Sequence, residues 1–100
     1  MTSKVSNQAV DEQRHALRRR VDEPATIKHA RGTEKGVVRD ISSAGAQLVL
    51  EKPPEPDSTV EIKMDAVGSV KAKVRWRNGT RVGAEFENVP PETVEKIRRL

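Results

Sequence analysis

"VKAKVRWRNGTRVGAEF", residues 70–86, decides the fold. Val70, Ala72, Val74 and Trp76 alternate with Lys71, Lys73, Arg75 and Arg77. That is period two, the mark of a strand with one dry and one wet face. Asn78-Gly79 follows, a strong hairpin signal because a type I′ turn needs positive φ at both central residues. Thr80–Phe86 then returns, with Val82, Ala84 and Phe86 on the dry side. An antiparallel pair with one apolar face must cover that face, which makes the rest of the chain a search for further strands.

They are found upstream. In residues 59–65, "TVEIKMD", Val60, Ile62 and Met64 alternate with charged residues. "ATIKHA" at 25–30, "EKGVVRDI" at 34–41 and "AQLVL" at 46–50 read as three more strands. The alternation of the second is imperfect, since Arg39 falls on the face of Val37 and Ile41. "EKPPEPDS" at 51–58 is a loop, because its prolines cannot feed a central ladder. After Phe86 the period changes. Asn88 or Pro90-Pro91 can open a helix, with acids early, Arg98 and Arg99 late, and Val94, Ile97 and Leu100 as an apolar stripe. Six short antiparallel strands bury a dry face by closing into a barrel, with the helix covering one end. The expected fold is therefore all-β in the main: a six-stranded antiparallel barrel over 24–87, a helix over 90–100, a basic arm over 14–20 and a polar tail over 1–13. Pro24 closes the arm and favours an extended Glu23.

Composition narrows the function. One hundred residues support one small domain. With no cysteine, disulfides, zinc thiolates and thiol catalysis are absent. A net charge of +4 favours anionic partners without identifying them. No apolar run approaches the roughly 18 residues of a membrane span, so no membrane insertion is expected. The first residues lack the apolar core of a secretory signal, and a cytoplasmic location is the expectation. His15 and His29 sit among charged or small residues and read as surface histidines. The acids are spread along wet faces with no pair suited to acid–base work, so no enzyme and no metal or other cofactor is expected.

Two pieces carry chemistry. The first is Arg14-His-Ala-Leu-Arg18, followed by Arg19 and Arg20. Arginines four apart can offer two planar forks to one anion, although a solvated basic tail has the same appearance. Arg77-x-x-x-Arg81 repeats the spacing, and the hairpin accounts for it without a ligand. The second piece is "DISSAG", residues 40–45. Asp and Ser brace turns and Gly supplies positive φ, which would explain it as a turn. It also offers more than a turn requires. The Asp40 carboxylate can accept two donors from a guanine edge, the Ser42 hydroxyl can donate to phosphate, and Gly45 lets a ligand approach the backbone. Arginine forks meet guanine O6/N7 or phosphate. Together the pieces suit a ligand that is both a guanine and a phosphodiester.

RxxxR followed by DxSxxG, with Val21 to Pro24, "GAQL" and "VRWRNGTRVGAEF" around them, resembles the PilZ domain family over roughly residues 14–100. The resemblance implies a β-barrel receptor for cyclic di-GMP. It implies that Arg14 and Arg18 clamp phosphate and guanine, that Asp40 and Ser42 face the ligand from the barrel, and that Gly45 is the tight-turn residue. Arg19 and Arg20 are expected to assist electrostatically. Gln47 and Trp76 are possible edge contacts, with core packing favoured for Trp76. Gln13 stands where PilZ-like domains that capture a stacked ligand dimer tend to carry arginine, which implies one ligand per chain. An arm and a barrel face that share one ligand imply closure on binding, signalled to a downstream protein. The rival readings are a small basic barrel for nucleic acid and an adaptor that binds no nucleotide. Nucleic acid is disfavoured because both aromatics alternate inward, leaving no stacking surface.

Overall fold

The computed structural model describes residues 18–100. The expected tail and Arg14 lie outside the described residues. The strands are β1 (Arg19–His29), β2 (Gly32–Ile41), β3 (Gly45–Leu50), β4 (Thr59–Met64), β5 (Gly68–Asn78) and β6 (Arg81–Phe86), followed by α1 (Pro91–Arg98). They close into a barrel in the order β1-β2-β3-β6-β5-β4, every pair antiparallel. β1 seals it against β4 through Thr26, Ile27 and Lys28 alone.

The alternating residues fill the interior as their period demands. Ile27, Leu48, Ile62, Met64, Val70, Ala72, Val74, Val82 and Phe86 are all buried. α1 opens at Pro91, where proline's missing N–H costs nothing and its fixed φ suits the first turn. It lays Ile97 into the core, with Val89 and Leu100 packed beside it.

The strands depart from strict alternation at three places. β1 is bulged between Arg20 and Glu23, β2 between Val38 and Asp40, and β5 between Val74 and Trp76. A bulge adds one unpaired residue and reverses the facing of everything beyond it. In β2 the extra residue is Arg39. Val38 and Ile41 therefore both point inward, and the expected facing of Val37, Arg39 and Ile41 is corrected. In β5 the extra residue is Arg75. Trp76 accordingly lies opposite Gly83 on the outside, 40 % exposed, instead of following Val74 into the core.

Three smaller expectations also change. β1 runs from Arg19 straight through Pro24, so Arg19 and Arg20 belong to the barrel and not to an arm ahead of it. Pro24 is tolerated because β1 pairs only with β2 at that point. The last hairpin turns one residue later than expected. Asn78 pairs with Arg81, so Gly79 and Thr80 form the loop, and only Gly79, at φ 65°, is left-handed. His29 is not a surface residue: its side chain is 9 % exposed, and its Nδ1 accepts the Arg31 N–H at 3.3 Å, bracing the β1–β2 turn.

Candidate functional site

The bulges turn one row of residues outward across five strands. Arg20 on β1 pairs with Asp40 on β2, Asp40 with Gln47 on β3, Gln47 with Gly83 on β6, and Gly83 with Trp76 on β5. At a strand spacing of about 4.8 Å the row extends roughly 19 Å. Gly83 makes room for the indole: a methyl group there would collide with the Trp76 ring. The ring thus lies against the barrel wall with one surface outward.

Asp40 is the polar centre of this row. Its Oδ2 is 3.4 Å from an Arg18 guanidinium nitrogen. Its Oδ1 is buried and, among the described residues, accepts no hydrogen bond. A buried acceptor without a donor costs about 1–3 kcal/mol, so the fold tolerates a carboxylate oxygen that an incoming donor can satisfy.

Ser42 and Gly45 build the turn beside it. The Ser42 N–H donates to the Gly45 carbonyl at 2.9 Å. The Ser42 Oγ accepts the Ala44 N–H at 3.1 Å, which leaves its own proton for another acceptor. Ser42 is the only polar or charged residue among the described ones to be fully buried. Gly45 is needed for a different reason from the one expected. Its backbone is not left-handed; instead a side chain there would strike the Ala84 carbonyl on β6. The glycine sets how closely β3 approaches β6.

Two open clefts flank the row and share Gln47. The first, about 220 Å³, is bounded by Arg18, Ser42, Gly45, Gln47, Arg75 and Trp76. The second, about 380 Å³, is bounded by Arg20, Asp22, Arg39, Asp40, Gln47 and Arg81. Arg75 is held by Glu85 at 2.6 Å, and Arg39 by Asp22 at 3.5 Å. Arg18, Asp40, Ser42 and Gly45 are thereby brought together, as the spacing of the motifs suggested. Arg19 is not with them. It pairs with Ile41 in register, so its fork points over the barrel end, where it donates to the carbonyls of Leu100, at 2.7 Å, and Ile97. Arg14 lies outside the described residues. Among the described residues no group of His, Asp and Glu gathers to hold a metal, and no helix is long and apolar enough to cross a membrane.

A model of the PilZ domain family matches residues 12–100. The chain belongs to the PilZ domain family. Solved structures agree on the fold. The PilZ domain of CeSA from a cellulose-synthesizing bacterium superposes with a TM-score of 0.67 at 19 % identity, over 82 % of this chain and 91 % of that one. The PlzA protein of Borreliella burgdorferi, solved in complex with c-di-GMP, superposes with a TM-score of 0.74 at 16 % identity, over 96 % of this chain. This PilZ domain spans only 44 % of the PlzA chain. A comparison with curated proteins finds no match.

Sequence reasoning favoured the core for Trp76, which lies on the outer face, and left Arg81 on the wet face as a hairpin residue with no ligand role. The signal for Trp76 was present in Gly83, the one residue across the hairpin small enough to lie beneath a ring.

Proposed function

We propose that this PilZ domain is a receptor for cyclic di-GMP, and that it is a binding module without catalytic chemistry. The observation that carries the proposal is Asp40: a carboxylate with one oxygen paired to Arg18 and the other buried without a donor. A simple anion site has no use for a carboxylate at its centre. A guanine does, because its Watson–Crick edge brings two N–H donors to one acceptor pair. Phosphate then falls to Arg18, to the Ser42 hydroxyl and to Arg14 on the segment ahead of β1. Membership of the PilZ family and the c-di-GMP complex of PlzA support the same ligand.

Arg14 and Arg18 stand before β1, and Asp40 and Ser42 stand on the barrel. A ligand held by both groups draws the preceding segment onto the barrel face, and the closed face is what a downstream protein reads. A cytoplasmic receptor is consistent with such a ligand.

Nucleic acid is the second reading, and Trp76 favours it more than the sequence did. The ring is exposed and basic residues surround it. One ring is a single stacking position, however, whereas single-stranded binders line up several. Calorimetric titration with cyclic di-GMP and, separately, with a short single-stranded oligonucleotide tests the two. Asp40→Ala should weaken cyclic di-GMP by more than about tenfold, since it removes charge-assisted bonds to the base, and should leave pyrophosphate binding equal or stronger. Tighter cyclic di-GMP binding by Asp40→Ala would refute the guanine assignment.

A further inference from the structure

The second cleft takes Asp40 from the DxSxxG motif but holds neither Arg18 nor Ser42. We propose that Arg20 and Arg81 form a phosphate subsite there, holding the second phosphodiester of the same cyclic di-GMP molecule whose first half lies in the Arg18 cleft. This rests on the receptor function proposed above.

The chemistry of the two clefts differs in the way such a division requires. The first cleft contains the indole of Trp76 and the turn of Ser42. The second has three guanidinium groups, no aromatic surface and two carboxylates, Asp22 and Asp40, each already paired with an arginine. The chain's only other aromatic residue, Phe86, is buried. A base therefore has a platform in the first cleft alone, and the second suits an anion.

The arginines are also placed for it. Arg39 is engaged by Asp22. Arg20 and Arg81 have no ion-pair partner among the described residues, although each lines a concave surface. Unpaired guanidinium forks in a cleft raise the local potential and match phosphate with two parallel bonds. Arg20 lies directly across from Asp40. Arg81 precedes Gly83 by two residues on β6, so it shares the outer face and sits diagonal to Gln47. Such diagonal neighbours have Cα atoms about 7–8 Å apart, within reach of long side chains.

The second arginine spacing in the sequence acquires a meaning here. Arg77 is tied to the Glu55 carboxylate at 2.9 Å and the Pro53 carbonyl at 3.3 Å, fastening the proline loop. Arg81, four residues on, is left to the cleft. Cyclic di-GMP has two phosphodiesters in one ring. With one half held beside Arg18 and Trp76, the other half extends across Gln47, the residue common to both clefts.

Calorimetry with cyclic di-GMP on the wild type, Arg20→Gln, Arg81→Gln and the control Arg98→Gln decides it. Arg98 lies on α1, where it pairs with Glu95 at 3.8 Å. The expected result is one ligand per chain throughout, about tenfold weaker binding for each of the two cleft variants, partial recovery in Arg81→Lys, and no change in the control. Matching thermal unfolding curves would show that the variants are folded. If the wild type binds and the cleft variants bind equally well, the subsite is wrong and the receptor function stands. Equal weakening in Arg98→Gln would reduce it to a diffuse field. A wild-type ratio of two that falls to one in Arg81→Gln would overturn the shared ligand in favour of a second molecule. Absence of any wild-type binding would remove the receptor function, and the subsite with it.

Discussion

Arg18 and Arg19 are adjacent, and the structure separates their work. Arg18 faces the row of Asp40 on the outer wall, with its side chain 52 % exposed. Arg19 points the other way and fastens the C-terminal end of α1 by donating to the carbonyl of Ile97 in its last turn and to that of Leu100 just beyond it. Cationic groups at that end also oppose the helix dipole. Opposite phenotypes follow. Arg18→Ala should lose most cyclic di-GMP affinity while lowering the melting temperature by a few degrees at most, since an exposed pair contributes about 0–1 kcal/mol. Arg19→Ala should retain most affinity but lose about 1–2 kcal/mol of stability through the two charge-donated bonds, allowing for partial solvent exposure. At about 4–8 °C per kcal/mol for a domain of this size, the loss is readily seen in a thermal melt. A melt of Arg19→Ala that matches the wild type would show that the helix clasp carries no stability. Gly45→Ala belongs at the same scale. Its added methyl meets the backbone of Ala84 and cannot be relieved by rotating a side chain. About 1–3 kcal/mol should be lost, as in other overpacked sites, and urea unfolding measures it.

At the scale of the strand, the decisive features are the bulges. Each adds a residue, and the residues beyond each bulge change faces: Asp40 beyond Arg39, Trp76 beyond Arg75. Trp76 is the chain's one tryptophan, so its fluorescence reports the facing directly. The free protein should emit as a solvent-exposed indole, acrylamide should quench it, and cyclic di-GMP should shield it. Trp76→Ala should cost under about 1 kcal/mol, against the roughly 3–5 kcal/mol typical of a core tryptophan. A blue-shifted, unquenchable emission would put the ring in the core and remove the bulge. These strands also show where the sequence was legible. In β4, β5 as far as Val74, and β6, hydrophobic period and burial coincide, so six strands and closure followed from alternation. Polar and charged residues are tolerated on either side of a bulge, so nothing in the local pattern around Arg39 or Arg75 marks the extra residue except a blurred alternation. The start of β1 was hidden for a related reason: Arg19 to Pro24 lacks a dry face, and only its pairing with β2 makes it a strand. Arg18, Asp40, Ser42 and Gly45 stood out in the sequence because their types are chemically specific, and the fold brings them near one another. Arg81 did not stand out, because a hairpin explains an arginine beside a turn equally well.

For the whole molecule, the proposed ligand joins what the fold leaves separate. The row from Arg20 to Trp76 crosses β1, β2, β3, β6 and β5, so one bound molecule ties five of the six strands together from outside. β1 is the strand with most to gain. Its seam with β4 is only three residues long, and its first residues, Arg19 and Arg20, lie beyond that seam and pair with β2 alone. Any ligand that binds the folded chain and not the unfolded one stabilises it by mass action, about 2.7 kcal/mol at a free concentration one hundred times Kd. For a domain of this size that corresponds to a rise in melting temperature of about 10–20 °C. The rise should disappear in Arg18→Ala at the same ligand concentration and persist in Arg99→Ala, which removes equal charge from the C-terminal end of the chain. Hydrogen exchange locates the effect. Amides of β1 and β2 near Arg20 and Asp40 should gain protection on binding, whereas those of the β1–β2 turn near His29, at the opposite end of the same strands, should gain little beyond the global increment. Protection that rises equally at both ends, with the melting shift intact, would mean that the ligand stabilises the barrel as a whole without fastening the start of β1 to its wall.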